Sequence, residues 1–438
     1  MLKKIYLFTI LGFYGCMFSQ TKPREKLAAY IDSLYVHHKV MGSFAISDRN
    51  NSVFLKVVGM ADVPKQQKAN MNTEYRVGSV SKTFTAVLIM KAVETGKIST
   101  DTKLSQYYPE IPNAEKITVK NLLQHRSGIH NLTEDSDFLN IYMKPQTGSA
   151  LVSFIKKFPS DFEPGKKYAY SNSNYILLGL ILEKIYLKPY AELVEKMITK
   201  PLKLEKTKVG GKINTAENQA QSYQYLGMYV PVPESDMSVP IGAGNIVSTS
   251  TELITFIKAL ANGKLVSKKS LQLMTEFQDD YGFGLVKNQF ENQAGFGHEG
   301  VIDGFRSGVY YFPQADIALS YLTNQSSEDP QELLEKITFA AFGKDFKIPE
   351  FKNTIVKAEI LKKYEGLYKA AGFPLDIKIF TENGVLNAQA TGQGPFPLDA
   401  VSETEFEFTQ AGIKLIFDSP SGTMKFSQGT NNFTFKKQ

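Results

Sequence analysis

The chain has 438 residues, of which 42% are hydrophobic and 12% aromatic, and its formal net charge is +6. This length predicts two or more domains with packed cores. The small charge excess, without a long basic run, gives no indication of nucleic-acid binding.

The first 19 residues have the pattern of an export signal. Lys3 and Lys4 form a charged start, an apolar run follows over 5–13, and small or polar residues close the pattern. The apolar run is shorter than the roughly 20 residues that a membrane span needs. We predict cleavage near Ser19, export to the periplasm or medium, and no transmembrane span in the mature chain. The alternative is a lipid anchor on Cys16, the single cysteine.

Residues 22–345 mix helical and strand patterns, which predicts an α+β domain. A helix over 24–38 precedes two β-rich runs, 42–47 and 53–58, and a buried helix follows Ser79 and ends near Gly96. Further helices are predicted over 117–129, 148–158, 175–185, 251–260 and 329–342, and further strands over 281–285, 295–300, 306–312 and 318–323.

The C-terminal part has a different pattern. Charged residues and a proline over 346–354 predict a linker. Residues 355–438 contain short alternating runs with a hairpin turn at Glu382-Asn383-Gly384. This regular spacing predicts a small antiparallel barrel or sandwich. We interpret it as an accessory domain because it contains no nucleophile motif.

A serine and a lysine three residues apart, Ser79 and Lys82, begin the buried helix. Residues at this spacing share one helix face. A serine hydroxyl is a weak nucleophile without a neighbouring base, and a buried lysine can be that base. The same spacing occurs at Ser153 and Lys156 in an ordinary amphipathic segment, so the spacing alone does not identify a site.

Two later segments contain residues suited to the same chemistry. In an extended segment, Tyr170 and Asn172 point the same way. Beside Lys82 the tyrosine is a candidate base or proton shuttle, because a nearby cation favours a phenolate. His298-Glu299-Gly300 falls on a predicted strand. The five histidines lack metal-ligand spacing, so we predict neither a metal nor a cofactor.

Taken together, Ser79-x-x-Lys82, Tyr170-Ser171-Asn172 and His298-Glu299-Gly300 resemble the motifs of the serine β-lactamase and penicillin-binding protein superfamily. The order and the intervals of 91 and 128 residues are similar to those of class C β-lactamase-like hydrolases, including D-Ala-D-Ala carboxypeptidases and esterases. The resemblance covers 24–342. The C-terminal segment, with Tyr364-Glu365-Gly366-Leu367-Tyr368, resembles the lipocalin-like barrel of some relatives.

The resemblance implies an antiparallel sheet flanked by helices, an all-helical subdomain, and a site between them. It implies an acyl-enzyme on Ser79, with Lys82 and Tyr170 transferring protons; which of the two takes the serine proton is left open. The implied substrate-binding residues are Asn172, His298, Glu299, Gly300 and Val301. The Val301 N–H is the implied oxyanion donor and acts together with the N–H of Ser79.

The third motif departs from the family pattern. β-Lactamases usually have Lys-Thr-Gly there, whose lysine and hydroxyl bind the substrate carboxylate; here His298 and Glu299 replace them. A Glu299 that faced the site would repel a carboxylate, but strand alternation alone does not say which way it faces. We therefore favour a D-amino peptide, from peptidoglycan or elsewhere, or a carboxylic ester over a β-lactam. The alternative is a protein that binds penicillin or cell-wall fragments with little turnover.

Overall fold

The computed structural model describes residues 15–438 except 51, 350–353, 355 and 409–410. Most of the predicted export signal, residues 1–14, therefore lies outside the described residues, as does part of the predicted linker. Within the described residues, no helix has the length and apolar character that crossing a membrane requires. The predicted limits of the two domains stay predictions.

The helices and strands follow in chain order. The helices are α1 (Gly15–Val36), α2 (Ser81–Glu94), α3 (Val119–Leu123), α4 (Gly148–Ile155), α5 (Asn172–Tyr186), α6 (Tyr190–Val194), α7 (Lys200–Leu202), α8 (Ser250–Ala261), α9 (Lys268–Met274), α10 (Pro330–Ala341) and α11 (Ala358–Tyr364). The strands are β1 (Val40–Ser47), β2 (Val53–Val58), β3 (Met60–Asp62), β4 (Gln67–Lys68), β5 (Tyr75–Arg76), β6 (Lys208–Val209), β7 (Tyr223–Tyr225), β8 (Tyr229–Pro231), β9 (Ile246–Ser248), β10 (Val286–Phe290), β11 (Gln293–Ile302), β12 (Phe305–Phe312), β13 (Ile317–Ser326), β14 (Gly366–Lys369), β15 (Ile377–Glu382), β16 (Val385–Ala390), β17 (Phe396–Pro397), β18 (Asp399–Ala400), β19 (Glu405–Phe408), β20 (Ile413–Asp418), β21 (Thr423–Gln428) and β22 (Asn431–Lys437).

A six-stranded antiparallel sheet in the order β10-β11-β12-β13-β1-β2 forms the middle of the first domain. Helices α1 and α10 cover one face, and α8 covers the other. Because successive side chains of a strand point to opposite faces, neighbours such as Tyr321 and Leu322 of β13 enter two different cores. The sheet is therefore apolar on both faces.

Helix α2 lies at the centre of the larger core. Every residue from Ser81 to Met90 is buried, as expected of a helix that is covered on all sides. It packs against α5, which also contacts α3 and α4 of the helical region. The residues that follow Ser79 are thus held between the sheet and the helical region.

The C-terminal barrel is a nine-stranded sheet with its own core, in the order β17-β16-β15-β14-β22-β21-β20-β19-β18. The two end strands, β17 and β18, are separated in sequence by Leu398 alone. The sheet therefore nearly closes on itself. The predicted α+β fold with a small antiparallel barrel is confirmed.

Two predicted elements are wrong. The helix predicted over 117–129 shrinks to α3, because His125 has a left-handed φ of +54° and the Arg126 N–H bonds back to the Asn121 carbonyl. The strand predicted over 281–285 is a turn: the Gly282 N–H bonds to the Leu285 carbonyl. Both segments line the site described next.

Candidate active site

Ser79 lies in a single helical turn, Gly78–Val80, directly before α2. Strand β5 leads into this turn and pairs with β9. Gly78 has φ +48°, and a Cβ there would lie 2.8 Å from the amide nitrogen of Val301. A glycine is therefore required for the turn to approach β11 this closely.

Lys82 lies one turn after Ser79, at the start of α2, and is completely buried. Its Nζ is 3.0 Å from Ser79 Oγ, 2.8 Å from Asn172 Oδ1 and 2.9 Å from the Ala243 carbonyl oxygen. The last partner, Ala243, was not among the predicted site residues. Its segment had no side-chain signal, because the contact is made by a backbone carbonyl.

The charge state of Lys82 follows from these partners. None of them is a carboxylate, and burial places the pKa of Lys82 well below its usual range. A neutral amine has two N–H donors and one lone pair. Asn172 Oδ1 and the Ala243 carbonyl can only accept, so they take the two N–H groups. The lone pair is left for the hydroxyl proton of Ser79.

Tyr170 lies over the same amine, with its ring centroid 4.8 Å from Lys82 Nζ. Burial raises the pKa of Tyr170, and its hydrogen bond to Ser79 lowers that pKa by less. The sequence reasoning expected a nearby cation to favour the phenolate. The direction is the opposite because the tyrosine is desolvated and the lysine is not a stable cation there. The phenol is thus a neutral group beside Ser79.

His125 supports Tyr170 from behind and was not among the predicted site residues. Its ring lies 4.3 Å from that of Tyr170, centroid to centroid. Its Nδ1 accepts the Ser171 N–H at 3.1 Å and the Asn174 Nδ2–H at 3.2 Å. The left-handed turn that ends α3 early puts His125 there. No sequence pattern marks such a role.

Asn172 begins α5, three residues earlier than predicted, after Ser171 in extended conformation. Its amide nitrogen Nδ2 faces Asn131 Oδ1 and Thr133 Oγ1, each at 3.3 Å. This arrangement fixes the Oδ1 oxygen toward Lys82. The structure therefore brings Ser79, Lys82, Tyr170 and Asn172 together.

His298 is buried on β11, where its ring lies against Tyr281. Its Nδ1–H donates to the Glu299 carbonyl, which leaves Nε2 to accept from the Tyr281 hydroxyl at 2.9 Å. Burial is the main cause that lowers the pKa of His298, to about 3. The imidazole is uncharged at neutral pH, so this motif offers no cation where the family has a lysine.

Glu299 points the other way. Its carboxyl group contacts the hydroxyls of Tyr310 and Tyr321, which belong to the core under α1 and α10. Burial raises the pKa of Glu299. The side chain therefore does not line the space in front of Ser79, although it was included among the predicted substrate-binding residues.

Gly300 and Val301 adjoin the nucleophile turn. A Cβ on Gly300 would lie 2.1 Å from the Val77 carbonyl oxygen and 2.8 Å from the Ser79 amide nitrogen. Ser307 Oγ donates to the same Val77 carbonyl at 2.7 Å. The backbone of β11 is thus held against that of Ser79.

A buried ion-pair network ties the rim of the site together. The Arg76 guanidinium donates to Asp303 at 2.7 Å, to Glu234 at 2.8 Å, and to the carbonyls of Ser235 and Gly211. Asp303 lies in the turn of the β11–β12 hairpin. The network therefore joins this hairpin to the segment that forms the opposite wall of the pocket.

The pocket in front of Ser79 has a volume of about 360 Å³. Its wall is largely apolar and includes Leu132, Phe138, Tyr142, Ile176, Val239 and Pro240. The other Ser-x-x-Lys pair is exposed: Ser153 lies on α4 and Lys156 directly follows its last residue. Within the described part of the chain, no group of three or more His, Cys, Asp or Glu side chains could hold a metal ion.

The chain is similar to known proteins over most of its length. Residues 27–342 match the family model described as Beta-lactamase. Penicillin-binding protein 4* of Bacillus subtilis (strain 168) is 24% identical over 434 residues, covering 90% of this chain and 93% of that protein.

Two solved structures share the fold. D-stereospecific amidohydrolase from Streptomyces sp. superposes with a TM-score of 0.63 at 28% identity, over 74% of this chain and 98% of that one. The octameric penicillin-binding protein homologue from Pyrococcus abyssi has a TM-score of 0.65 at 24% identity and covers 94% of this chain and 99% of its own. The second likeness extends over the C-terminal barrel.

Proposed function

Because the chain belongs to the beta-lactamase family, we propose that it is a serine hydrolase that forms an acyl-enzyme on Ser79 with an amide or ester substrate. The observation that carries this proposal is the buried amine of Lys82, 3.0 Å from Ser79 Oγ and without a carboxylate partner among the described residues. Such an amine is the base that a serine hydroxyl needs.

In the acylation step, Lys82 takes the hydroxyl proton while Ser79 Oγ forms a bond to the substrate carbonyl carbon. The carbonyl oxygen becomes an oxyanion, for which we assign the N–H groups of Ser79 and Val301 as donors. Lys82 is then an ammonium with three donors, and its partners Asn172 Oδ1 and the Ala243 carbonyl continue to accept.

Tyr170 completes the transfer. Its hydroxyl contacts the same serine, and because its pKa is raised it keeps a proton that it can donate. As the tetrahedral intermediate collapses, the bond from carbon to the leaving group breaks. The leaving group then takes the Tyr170 proton, and the Lys82 ammonium, which lies against the Tyr170 ring, returns its proton to the phenolate. Water reverses these roles in deacylation, releasing the acid and restoring Ser79.

We favour D-amino amides or peptides and carboxylic esters as substrates. The relative from Streptomyces sp. is named a D-stereospecific amidohydrolase, and the apolar pocket wall suits an uncharged side chain next to the scissile carbonyl. β-Lactams are less favoured because His298 is uncharged at neutral pH. Glu299 is no longer an argument against them, since its side chain faces the opposite core.

A binding protein with little turnover is the second candidate. The relative from Bacillus subtilis is named a penicillin-binding protein, which fits a long-lived acyl-enzyme on penicillin or a cell-wall fragment. In that case labelled penicillin would remain attached to Ser79 after removal of free ligand, and substrate panels would give no sustained product release.

The deciding experiment is labelling with a fluorophosphonate, which reacts with activated serines. The wild-type protein should be labelled on the peptide that contains Ser79, and Ser79→Ala should not. Ser153→Ala is the matched control, since it removes the serine of the other Ser-x-x-Lys sequence, and should be labelled normally. Equal labelling of wild type and Ser79→Ala would rule out the proposal.

We also propose that the protein is exported, with cleavage near Ser19 and with a lipid anchor on Cys16 as the alternative. The charged start and the short apolar run of the first 19 residues support this. Mass spectrometry of the mature N-terminus separates the two outcomes. An intact Met1 on the protein from its native host would refute both.

A further inference from the structure

A second cavity opens beside the catalytic pocket, where the hydrolase domain meets the C-terminal barrel. It has a volume of about 270 Å³, and Pro397 and Phe408 of the barrel form part of its wall. Three residues, Val232, Val301 and Asp303, line both this cavity and the catalytic pocket. The two cavities therefore meet at the tip of the β11–β12 hairpin.

Val301 is the connecting residue. It is 61% exposed, although it is apolar and its backbone adjoins Gly78 in the nucleophile turn. A substrate held at Ser79 that continues past Val301 would cover this side chain and enter the second cavity. Burial of such an exposed apolar group is favourable.

Arg306 in the second cavity carries a charge that the described residues do not balance. It is the cross-strand partner of Val301 in the β11–β12 pair, it is half-buried, and it lines the cavity. Among the described residues, its guanidinium has no hydrogen-bond acceptor and no ion-pair partner. A guanidinium offers five donors in a planar fork that fits a carboxylate.

The two acidic side chains near Arg306, those of Asp303 and Glu299, interact with other residues. Asp303 accepts from Arg76 and from Ser235. Glu299, on the neighbouring strand, contacts Tyr310 and Tyr321. The charge of Arg306 is therefore available to a ligand.

Gln325 adds a second unsatisfied group to the same cavity. It is 1% exposed and lines the cavity. Its side-chain amide donates to the His38 carbonyl at 3.0 Å, but its side-chain oxygen is buried without a partner among the described residues. A buried acceptor of this kind calls for an N–H donor. A peptide supplies both the donor and a carboxylate.

We propose that this cavity is a second subsite, in which Arg306 binds a carboxylate on the distal part of an extended, peptide-like substrate. The proposal rests on the proposed function, since it supposes that the substrate reacts at Ser79. It assigns the C-terminal barrel a part in substrate selection, through Phe408 and Pro397. The carboxylate is either an acidic side chain or the free end of the peptide.

The test uses N-acetylated D-alanine peptides of two to five residues in three forms. One ends in D-glutamate amide, one in D-glutamine amide, and one in D-glutamine with a free carboxylate. Their binding to full-length Ser79→Ala is measured by calorimetry, so that turnover does not interfere. At one or more lengths, a carboxylate form should bind about fivefold more tightly than the amide form, as expected for a partly exposed charge-assisted pair.

Adding Arg306→Gln should remove this preference. Lys264→Gln, which removes a surface charge at another cavity, should leave it. Arg306→Lys keeps the charge without the planar fork and should retain part of the preference for the carboxylate form. This variant also serves if Arg306→Gln does not fold. Equal binding of charged and neutral forms at every length, or a preference unchanged by both Arg306 variants, would overturn the proposal.

Fluorophosphonate labelling of the wild type is run in parallel. If Ser79 is not labelled but the preference for a carboxylate still depends on Arg306, the proposed function is refuted and the subsite stands. If Ser79 is labelled normally but no carboxylate preference is found, the subsite is refuted and the proposed function stands. Comparing the acidic side chain with the free terminus identifies which carboxylate is bound.

Discussion

Lys82 Nζ lies 3.0 Å from Ser79 Oγ, and its other two partners are uncharged acceptors, Asn172 Oδ1 and the Ala243 carbonyl. In many proteins a buried lysine is paired with a carboxylate, which keeps it charged. Here no carboxylate among the described residues pairs with Lys82 to offset its loss of water, so the neutral amine is favoured.

Replacing Lys82 by arginine should slow acylation strongly. A guanidinium stays protonated in proteins, so it cannot accept the Ser79 proton, and loss of a general base costs about 10²–10⁴-fold in rate. The measurement is kcat/KM with a reactive aryl ester, alongside circular dichroism to establish folding. Lys156→Arg, in the exposed Ser-x-x-Lys sequence, is the control and should keep full activity. A folded Lys82→Arg variant with near-normal kcat/KM would contradict the base role.

Tyr170→Phe should slow amide hydrolysis more than aryl ester hydrolysis. An amine leaving group must be protonated, and the raised pKa of Tyr170 makes its phenol a proton donor. A nitrophenolate leaves without a proton. We expect a loss of about 10²–10⁴-fold for the amide and a smaller loss for the ester, measured as kcat at saturating substrate. Tyr168→Phe, on the neighbouring half-buried ring, serves as control. Equal losses on both substrates would argue against leaving-group protonation.

Glu299→Gln should leave substrate charge preference unchanged. The carboxyl group faces Tyr310 and Tyr321 rather than Ser79, so removing its charge should not alter the ratio of kcat/KM for an anionic and a neutral ester. Because burial raises the pKa of Glu299, ionising it opposes folding. The variant should therefore be as stable as wild type at pH 7, or more stable, by urea unfolding. A selective gain on the anionic ester would place Glu299 in the site.

His298 should make the protein less stable as the pH falls. Its pKa is about 3 in the folded state against 6.5 for a free histidine, so between these values the unfolded chain binds the extra proton. Stability is lost as pH falls through this window, and above 6.5 the group contributes nothing. At pH 4.5 the cost relative to pH 7 is on the order of 2 kcal/mol.

This cost should be absent in His298→Gln, whose side-chain oxygen can still accept from Tyr281. The free energy of unfolding in urea is measured for both proteins at pH 7 and pH 4.5. The wild type should lose more between the two pH values than the variant does. Parallel losses would mean that His298 is not desolvated in the folded protein.

Much of the site was predictable because its motifs are local. The interval between Ser79 and Lys82 is one helical turn, so a single helix brings the two side chains together. The order and the intervals to Tyr170 and His298 then separated this pair from Ser153 and Lys156. The barrel was predictable for a similar reason, since short alternating runs with turns leave few alternatives to an antiparallel sheet.

The remaining features depend on contacts between distant segments. Strand alternation fixes that His298 and Glu299 point to opposite faces, but only the packing of α1 and α10 against the sheet decides which face is which. The Ala243 carbonyl and the ring of His125 reach the site through turns that carry no side-chain pattern.

The sequence by itself was enough to predict the candidate site: a serine, a lysine and a tyrosine in the order and spacing of one family. The tertiary structure decided their protonation states, since burial without a carboxylate partner lowers the pKa of Lys82 and raises that of Tyr170. It also decided where Arg306 lies relative to Val301 and the barrel. Desolvation and cross-strand neighbours arise only when the chain is folded, and so they cannot be deduced from the order of residues.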